Sequence, residues 1–195
     1  MSKKLKSKSK LKVNNKLIAD PLDDSEIRQI LGNPRIMKYS ELKNYNKIED
    51  ILTNSIFDYI ILLIEAQMNS GHWVCIVRKY NKVFYFDSYA GYPSEPLNWN
   101  SQQTNNELGQ HKTYLLDLFN NSDLDIEYNK IVYQNEMSSN VNTCGRHCIV
   151  FILLCKYGLD LNTYYDFMEC MKKQLKMNYD QIVAYLIDSN EYYKL

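Results

Sequence analysis

The sequence predicts an α+β domain with segregated layers of helix and strand. Three observations lead there. Strand-like runs cluster between residues 57 and 87, an apolar run from Cys144 to Tyr157 reads as a buried helix, and two further helical patterns close the chain. The order is helices, strands, a helix, a strand, then helices, with no internal repeat. A regular βαβ winding would alternate instead.

Composition sets the frame for that reading. The chain has 195 residues, 45% of them hydrophobic, enough for one domain with a sizeable core. With only 6 Gly and 4 Pro, a fibrous or low-complexity class is excluded. Net charge is zero but unevenly spread, because Lys3, Lys4, Lys6, Lys8, Lys10 and Lys12 crowd the first dozen residues. Residues 1–15 are therefore expected to form a disordered basic arm, and residues 16–195 a single domain. Such an arm either aids solubility or makes non-specific contact with DNA by counterion release. No aromatic residue is interleaved, so base recognition is not implied.

Five cysteines, Cys75, Cys144, Cys148, Cys155 and Cys170, are an odd count, and several lie in apolar runs. That argues against a disulfide framework. The basic start is not followed by an apolar segment, so it does not read as a secretory signal. No apolar run approaches the roughly 20 residues that span a bilayer. The expectation is a soluble protein in a reducing compartment, with no membrane partner.

The elements follow in order. Asp23 and Glu26 have the spacing of a capping box, and Gly32 with Pro34 closes the helix they open. Ser40 is a candidate cap for a second short helix containing Leu42. Residues 57–64 read as a buried strand. His72 to Lys79 and Val83 to Asp87 read as a hairpin across Tyr80, Asn81 and Lys82. Alternation then puts His72, Val74 and Ile76 on one face, with Trp73, Cys75 and Val77 on the other. Gly91, Pro93 and Pro96 mark a loop, and an apolar stripe predicts a helix over about 104–119. Another strand is expected from Ile126 through Tyr133. After the Cys144–Tyr157 helix, stopped at Gly158, helices are predicted over 161–176 and 179–188.

The chemistry concentrates at Cys144. It stands where a polar, Gly-containing turn becomes the apolar helix, so the helix N-terminus favours its thiolate. A thiolate nucleophile needs an imidazole partner, an acceptor that fixes the imidazole tautomer, and donors for the oxyanion. His72 begins one strand of the hairpin and Asp87 ends the other, so the turn can bring them together. Gln134 follows a strand shortly before Cys144, and its amide can donate to an oxyanion beside the Cys144 backbone N–H.

Each candidate has a plainer alternative. Buried cysteines are mostly small core residues, which suits Cys75, Cys148 and Cys155. His72, like His111 and His147, reads equally as a hydrogen-bonded structural histidine. Asp87 can cap the turn at Ser88. Gln134 can be a surface amide. Cys144, His147 and Cys148 have the chemistry of metal ligands, but no second pair stands at zinc spacing, so neither metal nor cofactor is expected.

Gly71-His72-Trp73-Val74, Phe86-Asp87-Ser88, Gln134 and Thr143-Cys144-Gly145 together resemble the adenovirus-type and Ulp-type cysteine proteases. Cys144-Gly145-Arg146-His147-Cys148 with Phe86-Asp87-Ser88-Tyr89 is similar, within that group, to the maturation proteases of virophages and large DNA viruses. The resemblance spans about residues 55–160. It implies a fold related to papain's, with a central mixed sheet packed between helices and the nucleophile at the start of a buried helix. It also implies Cys144 as nucleophile, His72 as base, Asp87 as orienting acid and Gln134 as oxyanion donor. Trp73 and Gly145 would then help bind substrate in a narrow channel that admits small residues such as glycine. The implied substrates are viral capsid precursors, met in the virion or the host cytoplasm. The ten positions between Gln134 and Cys144 exceed the family's usual gap, which leaves Asn140 or Asn142 as alternative donors. Rival expectations are an isopeptidase for ubiquitin-like modifiers, an acyltransferase, and a catalytically inactive virion protein that binds nucleic acid.

Overall fold

A five-stranded mixed sheet runs through the computed structural model with its strands in chain order. Residue 13 and residues 15–111, 113–135 and 140–188 are described. The basic arm expected for residues 1–15 lies outside them, apart from residues 13 and 15.

The sheet comprises β1 (Arg35–Lys38), β2 (Phe57–Gln67), β3 (Ser70–Lys79), β4 (Lys82–Phe86) and β5 (Asp125–Tyr128). The central pairs β2–β3 and β3–β4 are antiparallel, while β1–β2 and β4–β5 at the edges are parallel. A parallel pair needs a crossover. One is a pair of 3₁₀ turns (Tyr39–Asn44 and Ile48–Asp50), and the other contains α3 (Gln102–Glu107) and α4 (Tyr114–Asn120). Helix and strand are thus less segregated than the element order implies.

The alternation expected of the hairpin is observed, and it sorts two cores. Trp73, Cys75 and Val77 join Phe84 and Phe86 beneath the long helix α5 (Cys144–Lys156). Val74 and Ile76 join Tyr85 and Leu115 on the opposite face. Phe86 stacks on Phe151 of α5 at 4.3 Å between ring centroids, pinning helix to sheet. Helices α6 (Leu161–Leu175) and α7 (Tyr179–Asp188) complete that layer through Met168, Ile182 and Val183.

At the N-terminal side, α1 (Asn15–Ala19) precedes α2 (Asp24–Leu31). The α2 cap is the expected box: Asp23 accepts from the Glu26 N–H, Glu26 accepts from the Asp23 N–H, and Gly32 ends the helix at φ 73°.

Several elements differ from expectation. The strand β1 follows Pro34 directly, too short to show a period. Leu42 lies in a 3₁₀ turn capped at Lys38, not Ser40. The helix expected over 104–119 is two, broken where Gly109 adopts φ 66°. β5 ends at Tyr128, because the Asn129 side chain turns the chain by bonding Ile131 and the Asp87 carbonyl.

Candidate active site

His72 stands near the start of β3, where the β2–β3 hairpin closes tightly. The preceding Gly71 admits no side chain, since a Cβ would sit 2.0 Å from the Ile64 carbonyl oxygen. The β3–β4 ladder ends at Cys75 opposite Phe86, so Asp87 lies just beyond it, on the same face as His72. The His72 Nε2 is 2.8 Å from Asp87 Oδ1. That oxygen also accepts from the Tyr89 N–H at 2.9 Å, and the Asp87 carbonyl accepts from Asn129 Nδ2 at 2.6 Å. Asp87 is fully buried, and Gly91 presses against it: a Cβ there would meet Oδ2 at 2.7 Å.

Cys144 is the first residue of α5 and shares a cleft of about 460 Å³ with His72, Gln134, Asn142, Tyr89 and Trp99. Its thiol and the His72 ring act on each other's protonation, each favouring the charged form of the other. Asp87 occupies Nε2, which leaves Nδ1 as the second nitrogen of the ring. Burial pushes the Cys144 thiol up. The bond to His72, its positive charge, and the backbone of Trp73 and Gly145 outweigh burial, and the thiol lies below its ordinary value of 9.0. Burial alone would push His72 down, but the charge and hydrogen bond of Asp87, followed by Cys144, hold it well above 6.5. Sulfur and imidazole are thus each shifted toward the charged form.

Gln134 is brought to the same cleft by two ladder-like bonds. The Tyr133 and Gln134 N–H groups both donate to the Ser88 carbonyl, at 2.8 and 3.0 Å. The Gln134 Oε1 accepts from Ser88 Oγ, while Nε2 donates to the Tyr89 hydroxyl at 2.9 Å and the Val141 carbonyl at 3.1 Å. Both amide hydrogens thus have acceptors in this state. Of the alternative donors, Asn142 lines the cleft with Nδ2 bonded to the Ala19 carbonyl at 2.6 Å, and Asn140 is exposed.

Trp73 packs in the core, with Nε1 donating to the Leu22 carbonyl and its ring against Gly145, where a Cβ would come within 3.2 Å. It lines a neighbouring groove, on the other side of Ser70 and Gly71, rather than the cleft that holds Cys144. The tryptophan in that cleft is Trp99, edge-on to His72 at 5.1 Å. Cys75, Cys148 and Cys155 are buried, and burial pushes each thiol up. His111 bonds Thr113 away from the cleft, and His147 faces Asp180.

A protein of Sputnik virophage, uncharacterized protein V9, is 30% identical to this chain over 165 residues. The aligned region covers 84% of this chain and 91% of that protein. The chain belongs to the family of this virophage protein. No family model matches it. Among solved structures, the central domain of an uncharacterized Legionella pneumophila protein is similar at 15% identity and TM-score 0.40, covering 87% of this chain and 99% of that one. The C-terminal Ulp1 protease domain, in complex with the yeast orthologue of SUMO, is similar at 13% identity and TM-score 0.41, covering 89% and 79%. Both scores are below 0.5.

The structure adds Tyr89 to the cleft. Its ring stacks on His72 at 4.7 Å with an interplanar angle of 14°, its N–H bonds Asp87, and its hydroxyl bonds Gln134. One side chain and its backbone therefore touch three of the four site residues read from the sequence. The sequence signal was adjacency alone, since Tyr89 follows Phe86-Asp87-Ser88 directly. Trp99 carried no such signal.

Proposed function

We propose that the chain is a viral thiol endopeptidase that cuts Gly-containing sites in capsid and virion precursor proteins during particle maturation. The observation that carries this is the buried His72–Asp87 pair lining one cleft with Cys144, whose thiol His72 draws below its ordinary value. Kinship to a virophage protein supports the viral setting.

In the proposed reaction the Cys144 thiolate attacks the scissile carbonyl carbon. A C–S bond forms, and the carbonyl π pair moves onto oxygen. Backbone N–H groups at the start of α5 receive that oxyanion, and the Gln134 amide joins them by exchanging one of its present acceptors. Collapse breaks the C–N bond, and the His72 imidazolium gives its proton to the leaving amine. Water then attacks the thioester as His72 takes its proton. The acid product leaves, and Cys144 returns as thiolate beside imidazolium. Asp87 fixes the ring orientation. Tyr89 and Trp99 crowd one wall of the cleft, which fits a small residue at the cut.

Incubation with capsid precursors of the same virus should yield discrete fragments. Cys144→Ala should abolish them. Processing that persists in that variant overturns the assignment, and activity on ubiquitin-like fusions without capsid cleavage would make the protein an isopeptidase instead.

A further inference from the structure

Asp180, the second residue of α7, is 3% exposed, and its carboxylate gathers three groups from the loop and helix around Cys144. Oδ1 accepts from Thr143 Oγ1 at 2.5 Å and faces His147 Nε2 at 3.2 Å. Oδ2 accepts from the Asn135 N–H at 3.3 Å. Thr143 precedes Cys144, His147 lies one turn behind it in α5, and Asn135 follows Gln134. We infer that Asp180 is the positioning residue of the oxyanion site, resting on the reading of Cys144 as nucleophile.

A threonine at the N-cap ordinarily turns its oxygen onto an N–H of the first turn. Thr143 makes no such bond: its φ of −103° and ψ of 4° lie outside the extended cap geometry, and its hydroxyl donates to Asp180 instead. The first-turn amides of α5 are thereby left for the cleft, where a developing oxyanion needs donors. The other carboxylate oxygen holds the backbone next to Gln134, the other proposed donor. One side chain thus sets the spacing between the two halves of the oxyanion site.

His147 secures the arrangement from inside the helix. Burial pushes its imidazole down, more than the Asp180 bond raises it. The neutral ring directs an Nε2–H at the carboxylate. Packing of α7 itself does not need the carboxylate, since Ile182, Val183 and Leu186 are buried in the same core as α5.

Two measurements on wild type and Asp180→Asn test this. Alkylation of Cys144 by iodoacetamide reads the thiolate and needs no oxyanion. Protection against it by a peptide ending in a Gly-Gly aldehyde reads the oxyanion site, because the hemithioacetal oxygen must be received there. In Asp180→Asn the alkylation rate should stay within about 3-fold of wild type while aldehyde affinity falls at least about 10-fold. Thr143→Val, which keeps Asp180 but removes its tether, should show the same split if Asp180→Asn does not fold. Unchanged aldehyde affinity, or parallel loss of both signals in a folded variant, overturns the inference. So does a wild-type enzyme that the aldehyde fails to protect. Wild-type Cys144 that is not alkylated in a His72-dependent way would instead refute the nucleophile reading on which this rests.

Discussion

His72 Nε2 and Asp87 Oδ1 lie 2.8 Å apart, 15 positions away in sequence, just beyond the last rung of the β3–β4 ladder. Neither residue needs a loop to find the other. Antiparallel pairing through Cys75 and Phe86 delivers both to one face of the sheet edge, and both are at most 7% exposed. The charge on Asp87 is the strongest influence holding the imidazole above its ordinary value.

Asp87→Asn should therefore preserve the fold and disable the reaction. The amide keeps an oxygen for the Tyr89 N–H but loses the charge that holds the imidazolium. A fall in kcat/KM of about 10²–10⁴-fold is expected, the span of positioned proton transfer. It is read by steady-state cleavage of a Gly-Gly peptide, with a thermal melt as a control for folding.

The sequence showed this pair because hairpin logic needs only alternation and a turn. The same logic correctly separated Trp73, Cys75 and Val77 from Val74 and Ile76. Cys144 was legible because a polar turn met an apolar helix. Gln134 was named from its place before Cys144 and from the family resemblance, without any sign of how it is held, and Asp180 was not named at all. Gln134 reaches the cleft through two N–H bonds to one carbonyl, that of Ser88, and Asp180 arrives from a helix 36 residues past Cys144. Contacts made by irregular backbone or across distant helices leave no period in the sequence. β1 was missed for a related reason: four residues that pair with β2 carry too few alternations to count.

Tyr89 offers a test of how the cleft holds its imidazole. Tyr89→Phe keeps the ring stacked on His72 and releases the Gln134 amide hydrogen that its hydroxyl now accepts. Turnover of a Gly-Gly peptide should stay within about 3-fold of wild type. Tyr89→Ala removes the stack as well. A ring pair is worth about 0.5–1.5 kcal/mol, so kcat should fall a further 2- to 10-fold or so. Equal rates in the two variants would deny the stack any part in positioning His72.

Phe86 links the site to the core. Its ring is fully buried, stacks on Phe151 of α5 and meets Tyr164 of α6 edge-on at 5.5 Å. Phe86→Ala should cost about 3–5 kcal/mol of stability, because the cavity lies between sheet and helix and neither relaxes fully into it. Urea denaturation followed by tryptophan fluorescence would measure it. Any activity that survives should fall too, since Asp87 is the next residue and Cys144 starts the helix that Phe86 supports.

The pH dependence follows from two opposite shifts. Burial favours the neutral thiol of Cys144, yet His72 and nearby backbone bring it below 9.0. Asp87 and Cys144 together lift His72 above 6.5 against burial. The pair is thus thiolate and imidazolium between the lowered thiol value and the raised imidazole value. Below that window the thiolate is protonated. Above it His72 has no proton for the leaving amine. Iodoacetamide alkylation of Cys144 should rise with pH through a midpoint below 9.0 and then level off, while peptide cleavage rises with it and falls again at higher pH. His72→Ala removes the largest influence opposing burial, so its alkylation midpoint should move upward and its cleavage should vanish. An alkylation midpoint that does not move in His72→Ala would show that the imidazole does not sustain the thiolate.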